Sequence, residues 1–128
     1  MSTETVLDRL YEAFFAGDPD GMTDLMHPEV EVRFLGQVRL KGLDAAKRFF
    51  AFSGPLLEDL DFRITSRIVD GEWAAVVWDE TARVAATGEP WENHGVDVFR
   101  VQDGSITVLH ENNDTRVVRA HLPRYTGA

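Results

Sequence analysis

The stretch Gly95-Val-Asp-Val-Phe-Arg-Val-Gln-Asp-Gly-Ser-Ile-Thr-Val-Leu-His-Glu-Asn-Asn-Asp114 decides how this chain folds and where its chemistry can sit. It reads as two β-runs joined at Asp103-Gly104, a dipeptide suited to the positive φ angles of a tight hairpin turn. Asp97 stands in a run that is otherwise apolar. A carboxyl group placed there must find hydrogen-bond donors, or its pKa must rise until it is neutral. Its neighbours depend on the turn. A two-residue loop pairs Gln102 with Ser105 and sets Asp97 opposite His110. A three-residue loop with Gly104 in a bulge pairs Val101 with Ser105. Asp97 then lies opposite Leu109 and Gly95 opposite Glu111, so that Asp97 and Glu111 become diagonal neighbours on one face with Asn113 beyond.

Further β-rich runs precede this hairpin at 61–69 and 72–86, separated by the turn Asp70-Gly71, and Gly88-Glu-Pro90 leads into the run that begins at Trp91. The first third of the chain is different. Val6, Leu7, Leu10, Tyr11, Phe14 and Phe15 recur at helical spacing, with Asp8, Arg9 and Glu12 on the opposite face, and Gly17 ends the pattern. Asp18-Pro19 is an N-cap followed by proline in the first turn, which predicts a second helix to about Met26, with Pro28 as its stop. His27 reads as a helix-end residue. A strand is expected over 29–35, a turn at Gly36-Gln37, and a helix from Leu43 to Phe52, broken by Ser53-Gly-Pro55. The segment after Thr115, with His121, reads as a short tail. Helices followed by a four-strand meander define an α+β domain, a curved antiparallel sheet cone packed against N-terminal helices, filling 1–128 as one unit. A pocket between the concave face and the helices would suit a small molecule.

Composition narrows the function classes. The chain has 128 residues, 44% hydrophobic, with 22 acids against 13 bases and no cysteine. This length buries a real core without staples, and without cysteine there is no disulfide, thiolate metal site or thiol nucleophile. The net charge of −9 with scattered bases argues against nucleic acid and an anionic membrane surface. The longest wholly apolar run, Trp73–Trp78, is far too short to span a bilayer, and the polar, acidic start does not read as a secretory leader, so a cytoplasmic location is expected. No phosphate loop, dinucleotide fingerprint or metal motif appears, so neither cofactor nor metal is expected.

The order of elements, with Ala16-Gly-Asp-Pro-Asp-Gly21, Met26-His-Pro-Glu-Val30 and Gly95-Val-Asp-Val-Phe-Arg100 followed by Asp103-Gly-Ser-Ile106, resembles the nuclear transport factor 2-like superfamily. Within it the chain is similar to the SnoaL-like polyketide cyclases and ketosteroid isomerases. The resemblance implies the cone fold and, often, a homodimer. It places Asp97 where ketosteroid isomerases keep a protonated oxyanion-hole aspartic acid and SnoaL-type cyclases a histidine. It places Glu111 where the cyclases and limonene-epoxide-hydrolase-like enzymes carry a catalytic aspartate, and it favours the register in which the two acids share a face. The isomerase base would align with Arg33, a guanidinium that takes no proton. The isomerase tyrosine would align with Leu10, one position from Tyr11, and the epoxide-hydrolase Arg-x-Asp element corresponds to about Glu80-Thr-Ala82 and is lost.

The expected activity is therefore cofactor-independent acid–base chemistry of cyclase, isomerase or dehydratase (lyase) type on a small, apolar, carbonyl-bearing molecule, polyketide-like compounds included. Glu111 is expected as base and Asp97 as acid or oxyanion donor, with Arg33, Trp78, Tyr11 and Asn113 lining the site. Gly95 opposite Glu111 would leave room for substrate. The rival readings are a hydrophobic-ligand binding module and a dimerisation domain. His94 and His110 are expected near each other on the convex face, at an interface. Trp73 and Trp78, of opposite parity, should face opposite sides of their strand.

Overall fold

The computed structural model describes residues 1–127. Its elements run α1 (Thr3–Phe15), α2 (Pro19–Thr23), β1 (Met26–Phe34), β2 (Val38–Lys41), α3 (Leu43–Ser53), a 3₁₀ turn (Gly54–Leu56), β3 (Leu57–Asp70), β4 (Trp73–Val84), β5 (Pro90–Gln102), β6 (Ser105–Asn113) and α4 (Thr115–His121). The strands form one six-stranded sheet in the order β2-β1-β6-β5-β4-β3. Every pairing is antiparallel except β1 with β6. The edge strands β2 and β3 do not pair, so the sheet curves without closing. Register shifts between Glu58 and Asp61, Ile64 and Ser66, and Arg100 and Val101 supply the local bends that curve it.

The helices fill the concave side. Val6, Leu7, Leu10 and Tyr11 of α1 are buried against Val30, Val32, Val76, Phe99 and Ile106. Ser2 caps α1 by accepting from the Thr5 amide, and Asp18 caps α2 by accepting from the Gly21 amide. No described helix is long and apolar enough to cross a membrane.

Four expectations are corrected. The second helix stops at Thr23, and Met26, His27 and Pro28 open β1, where a register irregularity between Met26 and Glu31 accommodates the proline, which has no N–H to donate. Besides the meander and the expected strand over 29–35, which is β1, the sheet has one further strand, β2. β1 inserts beside β6, and the short β2 turns back onto β1 after Gly36, whose φ is +86°. The supposed tail begins with α4, capped by the Asp114 side chain on the Arg116 amide, and His121 sits in its last turn. His94 and His110 are not neighbours, since His110 pairs with Val98 and bonds Glu31 at 3.0 Å, while His94 pairs with Asp79.

The decisive hairpin takes neither expected register along its whole length. Its turn has two residues, Asp103 at φ +50° and Gly104 at φ +78°, and Gln102 pairs with Ser105. Thr107 is then left without a partner, because Val101 pairs with Ile106 but Arg100 with Val108. Beyond this bulge Asp97 lies directly opposite Glu111, and Gly95 opposite Asn113. The two acids share a face as expected, but as a direct cross-strand pair rather than diagonal neighbours.

Candidate active site

β5 presents alternate residues to the concave side, and Asp97 is buried there at 8% exposure. Both its oxygens are engaged. Tyr11 Oη, from α1, donates to Oδ2 at 2.9 Å, and Trp78 Nε1, from β4, donates to Oδ1 at 3.0 Å. Trp78 reaches Asp97 because Gly95 gives it room. A Cβ on Gly95 would stand 2.0 Å from the Asn112 carbonyl oxygen and 2.7 Å from the indole Cζ2. The glycine thus serves the tryptophan rather than a substrate opposite Glu111, which corrects the expectation. Phe62 stacks on Trp78 at 5.2 Å between centroids, with Tyr11 and Phe14 beside it, so the wall around Asp97 is aromatic. As expected, Trp73 faces the other side, half-exposed under Arg100.

Glu111 differs from Asp97 in its freedom. Asn113 Nδ2 donates to Oε2 at 2.8 Å, while Oε1 makes no hydrogen bond within the described residues. The same Asn113 amide donates to the Leu35 carbonyl at 3.1 Å, and its own Oδ1 is buried with no partner. Opposed side chains of a directly paired antiparallel couple lie about 5 Å apart at Cβ. Two carboxyl groups at that spacing in an apolar cone do not ionise independently.

Electrostatics follow from burial. Desolvation pushes the Asp97 carboxyl up to about 7, against the pull of the donors Tyr11 and Trp78, and the charge of Glu80 adds to the rise. Desolvation also raises Glu111 well above the usual carboxylate range, and the neighbouring charge of Asp97 raises it further, opposed by the Asn113 amide. Burial, then the Asp97 charge, raises the Tyr11 phenol, so it remains a proton donor.

A third acid was missed by the sequence reading. Glu80, on β4, is 9% exposed and accepts from Trp91 Nε1 at 2.7 Å, and desolvation raises its pKa. It shares the parity of Trp78, so counting by two from that tryptophan would have found it. No arginine, lysine or histidine bonds Glu80, Asp97 or Glu111 among the described residues.

Of the residues expected to line the site, Tyr11, Trp78 and Asn113 touch the acid pair. Arg33 does not. In the parallel pairing of β1 with β6, Phe34 is the partner of Glu111 and Arg33 the partner of His110, so Arg33 projects from the opposite face. The parity of buried Val30 and Val32 carries the same information and could have excluded Arg33 from the cone.

A curved, unclosed six-strand sheet wrapped over N-terminal helices, with acids on its inner wall, defines an α+β protein of the nuclear transport factor 2-like fold. The chain belongs to the SnoaL-like domain family, whose model matches residues 7–109. Among solved structures it is similar to a nuclear transport factor 2-like protein of Burkholderia thailandensis E264, at 21% identity and a TM-score of 0.84 over 94% of this chain and 97% of that one. It is also similar to a proposed SnoaL-like polyketide cyclase of Jannaschia sp. CCS1, at 18% identity and a TM-score of 0.80 over 92% and 89% of the two chains. TerC co-crystallised with polyporic acid matches at 19% identity and a TM-score of 0.78 over 91% and 95%. No curated protein sequence matches the chain. These likenesses are of fold.

Proposed function

We propose that the protein is a cofactor-independent acid–base enzyme in which Glu111 moves a proton on a small, largely apolar, carbonyl-bearing molecule. The observation that carries this reading is the unequal treatment of two directly opposed carboxyl groups. Asp97 has both oxygens held by donors, whereas Glu111 Oε1 has no partner. A group held on both oxygens by protein donors is fixed in place, and a group with a free oxygen exchanges a proton with a ligand. Asp97 is therefore a positioning residue, set by Tyr11 and Trp78, whose charge strengthens Glu111 as a base. The sequence expectation of Asp97 as acid or oxyanion donor gives way in this proposal to a positioning role, because both its oxygens are already engaged by protein donors, Tyr11 and Trp78.

In the proton-transfer step, Glu111 Oε1 takes a proton from carbon next to the carbonyl, the C–H pair moves into an enolate, and the same oxygen returns the proton to carbon or to a leaving oxygen. Asn113 Oδ1, buried and without a partner, offers an acceptor to a ligand hydroxyl beside it. Cyclisation, isomerisation and dehydration share this step, and polyketide-like carbonyl compounds fit it. The protein would act in the cytoplasm as a homodimer joined through the convex face of the sheet. The names of two similar structures, a proposed polyketide cyclase and TerC with polyporic acid, support a small organic ligand for this fold.

Solvent-deuterium exchange at the α-carbon of a panel of small ketones and diketones tests the reading. The native chain should catalyse exchange on at least one, and Glu111→Gln should lose it while melting at an unchanged or higher temperature. A Glu111→Gln variant as active as the native chain would sink the assignment. A chain that binds such compounds without exchange would be a binding module, the second reading.

A further inference from the structure

A cavity of about 630 Å³, away from the acid pair, lies between the β1–β2 hairpin and α4 with the segment that follows it. Four arginines line it, Arg33 and Arg39 from the hairpin, Arg119 from α4 and Arg124 beyond it, and no acid does. Phe34, Leu35, Val118 and Leu122 give it an apolar floor. In a chain of net charge −9 this is unexpected. Of the seven other arginines, Arg63, Arg67, Arg83, Arg100 and Arg116 each lie within salt-bridge distance of a carboxylate, and Arg9 and Arg48 do not among the described residues. None of the four groove arginines does so among the described residues.

Two features make the groove more than a solvated patch. Arg33 and Arg39 are direct cross-strand partners, and like charges in that position repel. Glu31, on the same face of β1, is bonded by His110 at 3.0 Å and shares its charge between Lys41, its cross-strand partner, and Arg33. The groove is also built: Gln37 donates to the Pro123 carbonyl and accepts from the Tyr125 amide, tying the segment that carries Arg124 to the hairpin that carries Arg33 and Arg39. Tyr125 packs on Phe49 and Phe52 of α3, which anchors the same segment from its other side.

We propose that this groove binds a small organic oxyanion, a phosphate or carboxylate head on an apolar body, with the head between the arginines and the body on the Phe34–Val118 floor. Guanidinium groups grip such heads with paired N–H donors, and a bound anion removes the Arg33–Arg39 repulsion. The inference is independent of acid–base chemistry at Glu111.

Calorimetric titration of the full chain with octyl phosphate and octanoate, against octanol and octylammonium, tests it. Both anions should bind, weaken in high salt and be displaced by inorganic phosphate, while octanol and octylammonium bind about tenfold more weakly or not at all. The paired variants Arg33→Gln/Arg39→Gln and Arg119→Gln/Arg124→Gln should each lose about tenfold in affinity. The first should not lower the melting temperature, because it removes a repulsive pair. Glu111→Gln should bind the anions as the native chain does. Equal binding of octanol or octylammonium, or full affinity in either arginine pair, would overturn the proposal. So would binding of RNA or anionic vesicles in the absence of octyl phosphate binding.

Discussion

The concave wall and the hairpin–α4 groove separate charge in opposite senses within one small domain. Among the described residues, Glu80, Asp97 and Glu111 stand on the wall without a cation bonded to them, and four arginines stand in the groove without an acid. Most of the remaining arginines are paired at the exposed surface, as Arg63 is with Asp79 and Arg83 with Asp59. Exposed pairs of that kind contribute about 0–1 kcal/mol each and carry little information. Unpaired charge on a built surface is informative, because it costs stability that only a ligand or a reaction offsets. The two regions differ in what they cost. Burying the acids raises their pKa values, whereas the half-buried and exposed arginines stay solvated and only repel one another.

The largest break in this comparison comes from Glu111→Gln, which should lower turnover by about 10²–10⁴-fold, read as the rate of deuterium exchange or product formation. Next is Trp78→Ala. It removes a buried ring and a donor to Asp97, and should destabilise by about 3–5 kcal/mol in urea denaturation. Protonation comes third. The native Asp97 carboxyl titrates at about 7 against about 3.9 when unfolded, so the folded state holds the extra proton between these values. Stability should therefore fall as pH rises from about 4 to 7, by a few kcal/mol, and Asp97→Asn should flatten that slope in melts across the range. Tyr11→Phe is smaller, about 1–2 kcal/mol, with Asp97 titrating still higher once one donor is gone, as side-chain carboxyl NMR would show. Smallest is Arg39→Glu, which should stabilise by about 0.5 kcal/mol while weakening anion binding about tenfold.

Much of this arrangement is legible before folding. The apolar stripe of α1 and the alternation of β5 assign the helix layer and the concave wall, and the family resemblance adds Asp97 and Glu111. What escaped depends on length or on tertiary structure. α4 has seven residues and β2 four, too short for any period to show, although Asp114 before Thr115 is a capping cue. The bulge at Thr107 has no local signature. It is imposed by the need to bury Ile106 at the tip and Leu109 further on while the strand bends. Arg33 was misplaced because alignment outweighed parity, and Glu80 was passed over because it was weighed against a motif rather than against Trp78. The groove arginines come from two distant stretches of sequence, the β1–β2 hairpin and the α4 segment, which the Gln37 tether holds together.

Thr107 has a consequence for how such hairpins diversify. With its two-residue turn, β6 would present His110 to Asp97 if Thr107 paired with Arg100 and the ladder ran on uninterrupted; with Thr107 bulged out it presents Glu111. One residue thus works as a two-position selector, exchanging a carboxyl–carboxyl dyad for a carboxyl–imidazole dyad without altering either reacting side chain. A lineage on this scaffold could change its proton-transfer group by gaining or losing that bulge, far from the site.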